Sequence, residues 1–217
     1  MIKKLFVLLG LAFMLPTVSC AQGGEFLEGT HYEVIAPPVA TRSGGKIEVV
    51  EFFAYSCRHC FNFEPLLTQW KKTLGDDVIL APSPAVWSPP MEPHAKAFYT
   101  AKALGVLDTM HGVLFAAMHV DRKRLSSDGE IRALFVANGV SAEDFDKAFT
   151  SFGVGSQVRQ AAARAKSARI SGTPEMMVAG KYRISTRKAG SQANMLKIAD
   201  YLIARERSAA QAAAAAD

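Results

Sequence analysis

Cys57 and Cys60 are separated by two residues in the segment Cys57-Arg58-His59-Cys60. Thiols at that spacing can hold half of a metal site, close a structural staple, or form a redox-active pair. A zinc site needs about four ligands, and its usual signature is a second Cys pair or a spaced His pair. Neither is present: the chain has three cysteines in all. His94, His111 and His119 are scattered through a helical stretch and read as ordinary surface or half-buried histidines. A staple across so short a loop removes little entropy from the unfolded chain. Disulfide exchange is the leading reading.

The elements around the pair suit that chemistry. Lys46–Phe53 is rich in β-branched and aromatic residues and predicts a buried strand, opened by Gly44-Gly45. After Cys60 the apolar residues Phe61, Leu66, Leu67 and Trp70 recur at helical spacing until Gly75. Pro65 falls inside this helix and should kink it. Cys57 therefore sits at a helix N-terminus, where unpaired N–H groups and the helix dipole favour a thiolate. Arg58 and His59 add positive charge beside it. Cys60, one turn further in, should be the shielded thiol.

The N-terminus predicts export. Lys3-Lys4 precede an apolar stretch, Leu5–Leu15, of about ten residues, too short for a stable membrane anchor. Small residues around Cys20 predict cleavage after Ala21. Thr17-Val18-Ser19-Cys20 also partly resembles a lipobox, so a lipid anchor at Cys20 is the rival expectation. In an oxidising compartment paired thiols tend to oxidise. The net charge is +5, and loss of Lys3 and Lys4 leaves +3. No Lys/Arg-rich run is interleaved with aromatics, so nucleic acid is not the expected partner. Hydrophobic residues at 49% and charged residues at 21% suit a globular chain with a real core.

Downstream, Asp77–Pro82 predicts a second strand. Ala95–Leu104, Leu107–Met118 and Ile131–Asn138 predict helices, the last capped by Asp128, with Ser141 capping a shorter one over Glu143–Phe149. Gln157–Ala168 is helical in pattern. Ile170-Ser171-Gly172-Thr173-Pro174 breaks it, and Glu175–Ala179 and Tyr182–Ser185 predict a hairpin about Gly180-Lys181. A final helix is expected over Gln192–Arg207, and the alanine-rich residues after it are expected to fray.

This order, with "VVEFFAYSCRHCFNFEP" (Val49–Pro65), "AKALGVLD" (Ala101–Asp108) and "GTPEMMVAGKY" (Gly172–Tyr182), resembles the DsbA family of thioredoxin-fold disulfide oxidoreductases. The resemblance covers about Tyr32 to Arg205. It implies an α/β thioredoxin-like fold with an inserted helical domain. The implied organisation is a signal peptide at 1–21, the first thioredoxin-like part at 22–85 and the insertion at 86–150. The second part follows at 151–207, with a frayed tail at 208–217. The implied function is a periplasmic oxidase that donates its Cys57–Cys60 disulfide to exported proteins. No cofactor is required beyond the two sulfurs. Cys57 matches the nucleophile and Cys60 its buried partner. His59 matches a histidine that helps hold the thiolate. Thr173-Pro174 matches the substrate-binding cis-proline turn, and Glu51 the acid beneath the site. On the residues alone, the lesser readings are a trans loop proline for Pro174 and a surface-facing strand residue for Glu51. The implied partners are exported proteins with free thiols and a DsbB-like membrane reoxidant, and a monomer is expected.

The chain departs from well-known members at three positions. Arg58 replaces Pro, Thr173 replaces Val, and Glu175 follows Pro174 where small residues are common. A Glu175 side chain facing Cys57 would oppose Arg58. Two alternatives stay open at this point: a reductase or isomerase using the same pair, and a peptide- or metal-binding module without turnover.

Overall fold

The computed structural model describes residues 25–216. The signal segment, its cleavage site and Cys20 lie outside the described residues.

One five-stranded sheet carries the site. Its strands are β1 (Glu33–Val34), β2 (Ile47–Phe53), β3 (Val78–Pro84), β4 (Glu175–Val178) and β5 (Tyr182–Ser185). Their order is β1-β5-β4-β2-β3. β2 and β3 are parallel, linked through helix α1 (Arg58–Lys71), and the other neighbours are antiparallel. Residues 48 to 53 of the central β2 are all buried, which explains a run with little polar alternation. Alternate residues serve opposite faces. Val49 packs with Phe63 and Leu67 of α1. Val50 and Phe52 pack with Ala165 and Ala168 on the other face. Glu51 therefore shares the α1 face with Val49. β3 tolerates Pro82 and Pro84 because it is an edge strand.

Between β3 and β4 lie a 3-10 turn (Pro89–Met91) and five helices. These are α2 (Glu92–Ala103), α3 (Leu107–His119), α4 (Asp128–Ala137), α5 (Ala142–Phe149) and α6 (Phe152–Ser167). Their core includes Phe98, Phe115, Phe135 and Phe145, and it also contains Phe53, Tyr55 and Cys60. The helical segment and the redox site are thus one packed unit. α6 packs against both α2 and β3. Short α7 (Thr186–Ala189) and long α8 (Gln192–Ala214) close the chain, with α8 packed on α1.

Several boundaries differ from the sequence expectation. Ser127, not Asp128, caps α4, in a reciprocal capping box with Glu130. α6 begins at Phe152, because Ser151 accepts from the Val154 N–H and starts the helix through Gly153 and Gly155. α8 does not end near Arg207. It runs to Ala214, since alanine has the highest helix propensity even without a face to bury. α1 passes through Pro65 as one helix. In the β4–β5 hairpin, Ala179 (φ 53°) and Gly180 (φ 69°) form the turn, with the Lys181 N–H donating to Val178 O at 2.9 Å.

Candidate active site

Cys57 is the N-cap of α1, in extended backbone, and its Sγ accepts from the Cys60 N–H at 3.3 Å. The helix therefore starts on the sulfur that must carry charge. Cys57 is half-buried, whereas Cys60 is fully buried, and both are thiols in this structure. Donation from the Cys60 thiol is the largest cause that lowers the Cys57 pKa, to about 5. The Thr173 side chain and the backbone N–H groups of Cys60 and His59 act in the same direction, against partial burial. Burial, then the hydrogen bond and charge of Cys57, push the Cys60 thiol strongly up.

The other site residues take distinct positions. The Thr173-Pro174 peptide is cis, and the protonated Cys57 thiol donates to Thr173 O at 3.3 Å. Glu51 is buried, with Oε1 lacking a hydrogen-bond partner. Burial first, then Glu64 and Cys57, hold its carboxyl well above the usual range. The Arg58 side chain is not aimed at Cys57. Its Nη1 donates to the His119 carbonyl at 3.1 Å, and its guanidinium lies 5.4 Å over the Phe61 ring. The His59 side chain is exposed, and its carbonyl accepts from Gln192 Nε2 at 2.6 Å. Glu175 also avoids Cys57: its Oε1 accepts from Ser171 Oγ, and Oε2 lies 3.4 Å from Arg183 Nε.

α3 contributes residues read from the sequence as ordinary. The Tyr55 hydroxyl lies 2.7 Å from His111 Nδ1, and His119 Nε2 donates to Tyr55 O at 2.8 Å. Glu64 Oε1 lies 3.4 Å from His111 Nε2 without a hydrogen bond. The signal was present: His111, Phe115 and His119 recur every four residues, on one helical face. Glu51, Glu64, His111, Phe61 and Phe115 line a cavity of about 910 Å³. The arrangement pairs a half-buried, acidic thiol with a shielded, weakly acidic one, above a carboxyl that favours its proton. That asymmetry suits stepwise disulfide exchange.

Comparison with known proteins agrees. Residues 67–198 match the family model "DSBA-like thioredoxin domain". The chain is 36% identical over 191 residues to the thiol:disulfide interchange protein DsbA of Pseudomonas aeruginosa, covering 88% of this chain and 90% of that one. It is 40% identical over 181 residues to the protein of that name from Azotobacter vinelandii, covering 83% and 85%. The crystal structure of Pseudomonas aeruginosa DsbA superposes with a TM-score of 0.82 at 36% identity, covering 86% of this chain and 97% of that one. The matched family stretch begins after the cysteine pair, so the pair itself rests on the geometry above and on these longer relatives. By these measures the chain belongs to the DsbA-like thioredoxin-domain family.

Proposed function

We propose that this protein is a thiol oxidase that introduces disulfides into protein clients through Cys57 and Cys60. In the oxidised enzyme a client thiolate attacks Cys57 Sγ. The Cys57–Cys60 bond breaks, and Cys60 leaves as a thiolate. Burial disfavours that charge, and Glu51, whose own burial favours the protonated carboxyl, supplies a proton. A second client thiolate then attacks the client sulfur of the mixed disulfide, which releases Cys57 as its stabilised thiolate. The client loses two electrons and gains one disulfide, and the enzyme is left as the dithiol. The half-buried backbone at Thr173, beside the Cys57 sulfur, is the surface against which an extended client segment pairs.

The observation that carries this reading is the placement of the two sulfurs: Cys57 caps α1, half-buried, with its Sγ accepting from the Cys60 N–H, while Cys60 is fully buried; the first thiol is accordingly lowered to about 5 and the second raised. A stabilised Cys57 thiolate stabilises the reduced enzyme and makes its disulfide the stronger oxidant. The N-terminal segment supports export to the periplasm, and a DsbB-like membrane protein as reoxidant follows from the family resemblance. We take the working form to be a monomer.

The test is the equilibrium of the Cys57–Cys60 pair against glutathione, run beside oxidation of a reduced dithiol peptide and reduction of insulin. A pair more oxidising than glutathione, with rapid peptide oxidation, is expected. A pair as reducing as cytosolic thioredoxins, with efficient insulin reduction, refutes the oxidase reading in favour of a reductase.

A further inference from the structure

A second cavity, of about 560 Å³, opens beside Ser56 and Arg58, the immediate chain neighbours of Cys57. It shares no lining residue with the Glu51 cavity. Its walls carry Arg58, Arg122, Lys123 and Arg124 and no carboxylate, while Pro93 and Met118 add apolar surface. Among the described residues, Arg58, Arg122 and Arg124 make no ion pair, and Lys123 makes only a loose one with Asp121 at 3.8 Å. Exposed pairs of that kind contribute little.

The basic residues sit on a fixed loop. The Lys123 N–H donates to Ala117 O at 2.9 Å. Leu125 is buried in the helical core, and His94 Nε2 donates to its carbonyl at 3.1 Å. The backbone that carries the positive charges is therefore fixed at the rim before any ligand arrives, and only the exposed side chains have to order on binding. A concave site lined by one sign of charge raises the local concentration of the opposite sign. The reaction already brings protein thiols to Cys57, which lies in the chain between two residues that line this cavity.

We propose that the cavity is a docking subsite for acidic residues flanking the client cysteine that attacks Cys57. The inference rests on the oxidase reading and names the clients that the site prefers. Acidic flanks gain from Arg122, Lys123 and Arg124, and lysine flanks are repelled.

The test uses the oxidised full-length protein and three dithiol peptides of equal cysteine spacing, flanked by Glu, Gln or Lys. At low salt the Glu peptide should be oxidised about tenfold faster than the Gln peptide, and the Lys peptide more slowly. The advantage should collapse in about 0.5 M sodium chloride, where charges are screened within a few ångströms. The double variant Arg122→Glu/Arg124→Glu should reverse the order and leave dithiothreitol oxidation unchanged. Equal rates for the three peptides, or a preference that survives the double variant, overturns the proposal. Binding to phosphatidylglycerol vesicles without any peptide preference also overturns it and assigns the basic rim to lipid head groups. Failure of the wild-type protein to oxidise dithiothreitol would instead strike the oxidase reading itself.

Discussion

The Cys57 sulfur is both a helix cap and a nucleophile, and the first role makes the second possible. Its acidity comes from the Cys60 thiol, the Thr173 side chain and N–H groups of the first turn. Two predictions belong here. Arg58→Ala should move the Cys57 pKa by less than about half a unit, because the guanidinium faces His119 and Phe61. Thiolate absorbance against pH measures it, and a rise of two units would restore Arg58 as the dominant charge. The second concerns stability. The folded, reduced protein gains from the depressed thiol fully above the ordinary value of 9.0 and loses that gain as pH falls through about 5. The two units between pH 5 and pH 7 correspond to about 2.7 kcal/mol, which solvent screening of a half-exposed sulfur cuts to about 1–2 kcal/mol. The oxidised form lacks this term. The reduced form should therefore melt higher at pH 7, with the gap closing near pH 5, as calorimetry of both forms would show. The sequence located both thiols, because capping position and helix periodicity are local properties. The direction of the Arg58 side chain was not legible, because it depends on a carbonyl supplied by α3, 61 residues away.

Elements were legible wherever their signals were local. β2, α1 and the β4–β5 hairpin lie close to where alternation and turn residues put them. The starts of α4 and α6 were misplaced because Ser127 and Ser151 cap them: at α4 the Ser127–Glu130 capping-box spacing was legible but Asp128 competed for the same role, and at α6 a serine before a glycine-containing turn is a weak sign. β1 and α7, of two and four residues, are too short to carry periodicity. The hairpin turn makes the strongest element-scale prediction. A Cβ on Gly180 would lie 1.9 Å from Val39 O, and the residue already has a left-handed φ. Gly180→Ala should cost about 2–4 kcal/mol, read as a fall in the denaturant midpoint. Ser127→Ala, which removes one half of the α4 capping box, should cost only about 1 kcal/mol. Similar losses for the two would disprove the close approach at Gly180.

At the scale of the molecule, the helical segment forms the wall of the redox site. Phe115 on α3 meets Phe53, Tyr55 and Phe61, with ring centroids 5.8, 4.8 and 6.1 Å away. Phe115→Ala should cost about 3–5 kcal/mol and also raise access to Cys60. Thermal melting and alkylation of Cys60 in the reduced protein would register both effects, and a destabilised variant with Cys60 still fully protected would separate the two units. That the chain carries an insertion was readable from its run of helical patterns. How the insertion lands on Tyr55 and Cys60 was not, because those contacts join residues far apart in sequence and no local pattern encodes them.

The helix capped by Cys57 lends residues to two cavities of contrary character. One is rimmed by arginines and lysine, the other holds Glu51 and Glu64. The disulfide thus behaves like a rectifying junction, with its outer sulfur held by hydrogen bonds that welcome a negative charge and its inner sulfur in a burial that rejects one. An incoming thiolate is itself an anion. Regiochemistry is then decided by the scaffold and not by the client: every covalent complex should form on the outer sulfur, whatever the sequence of the attacking protein.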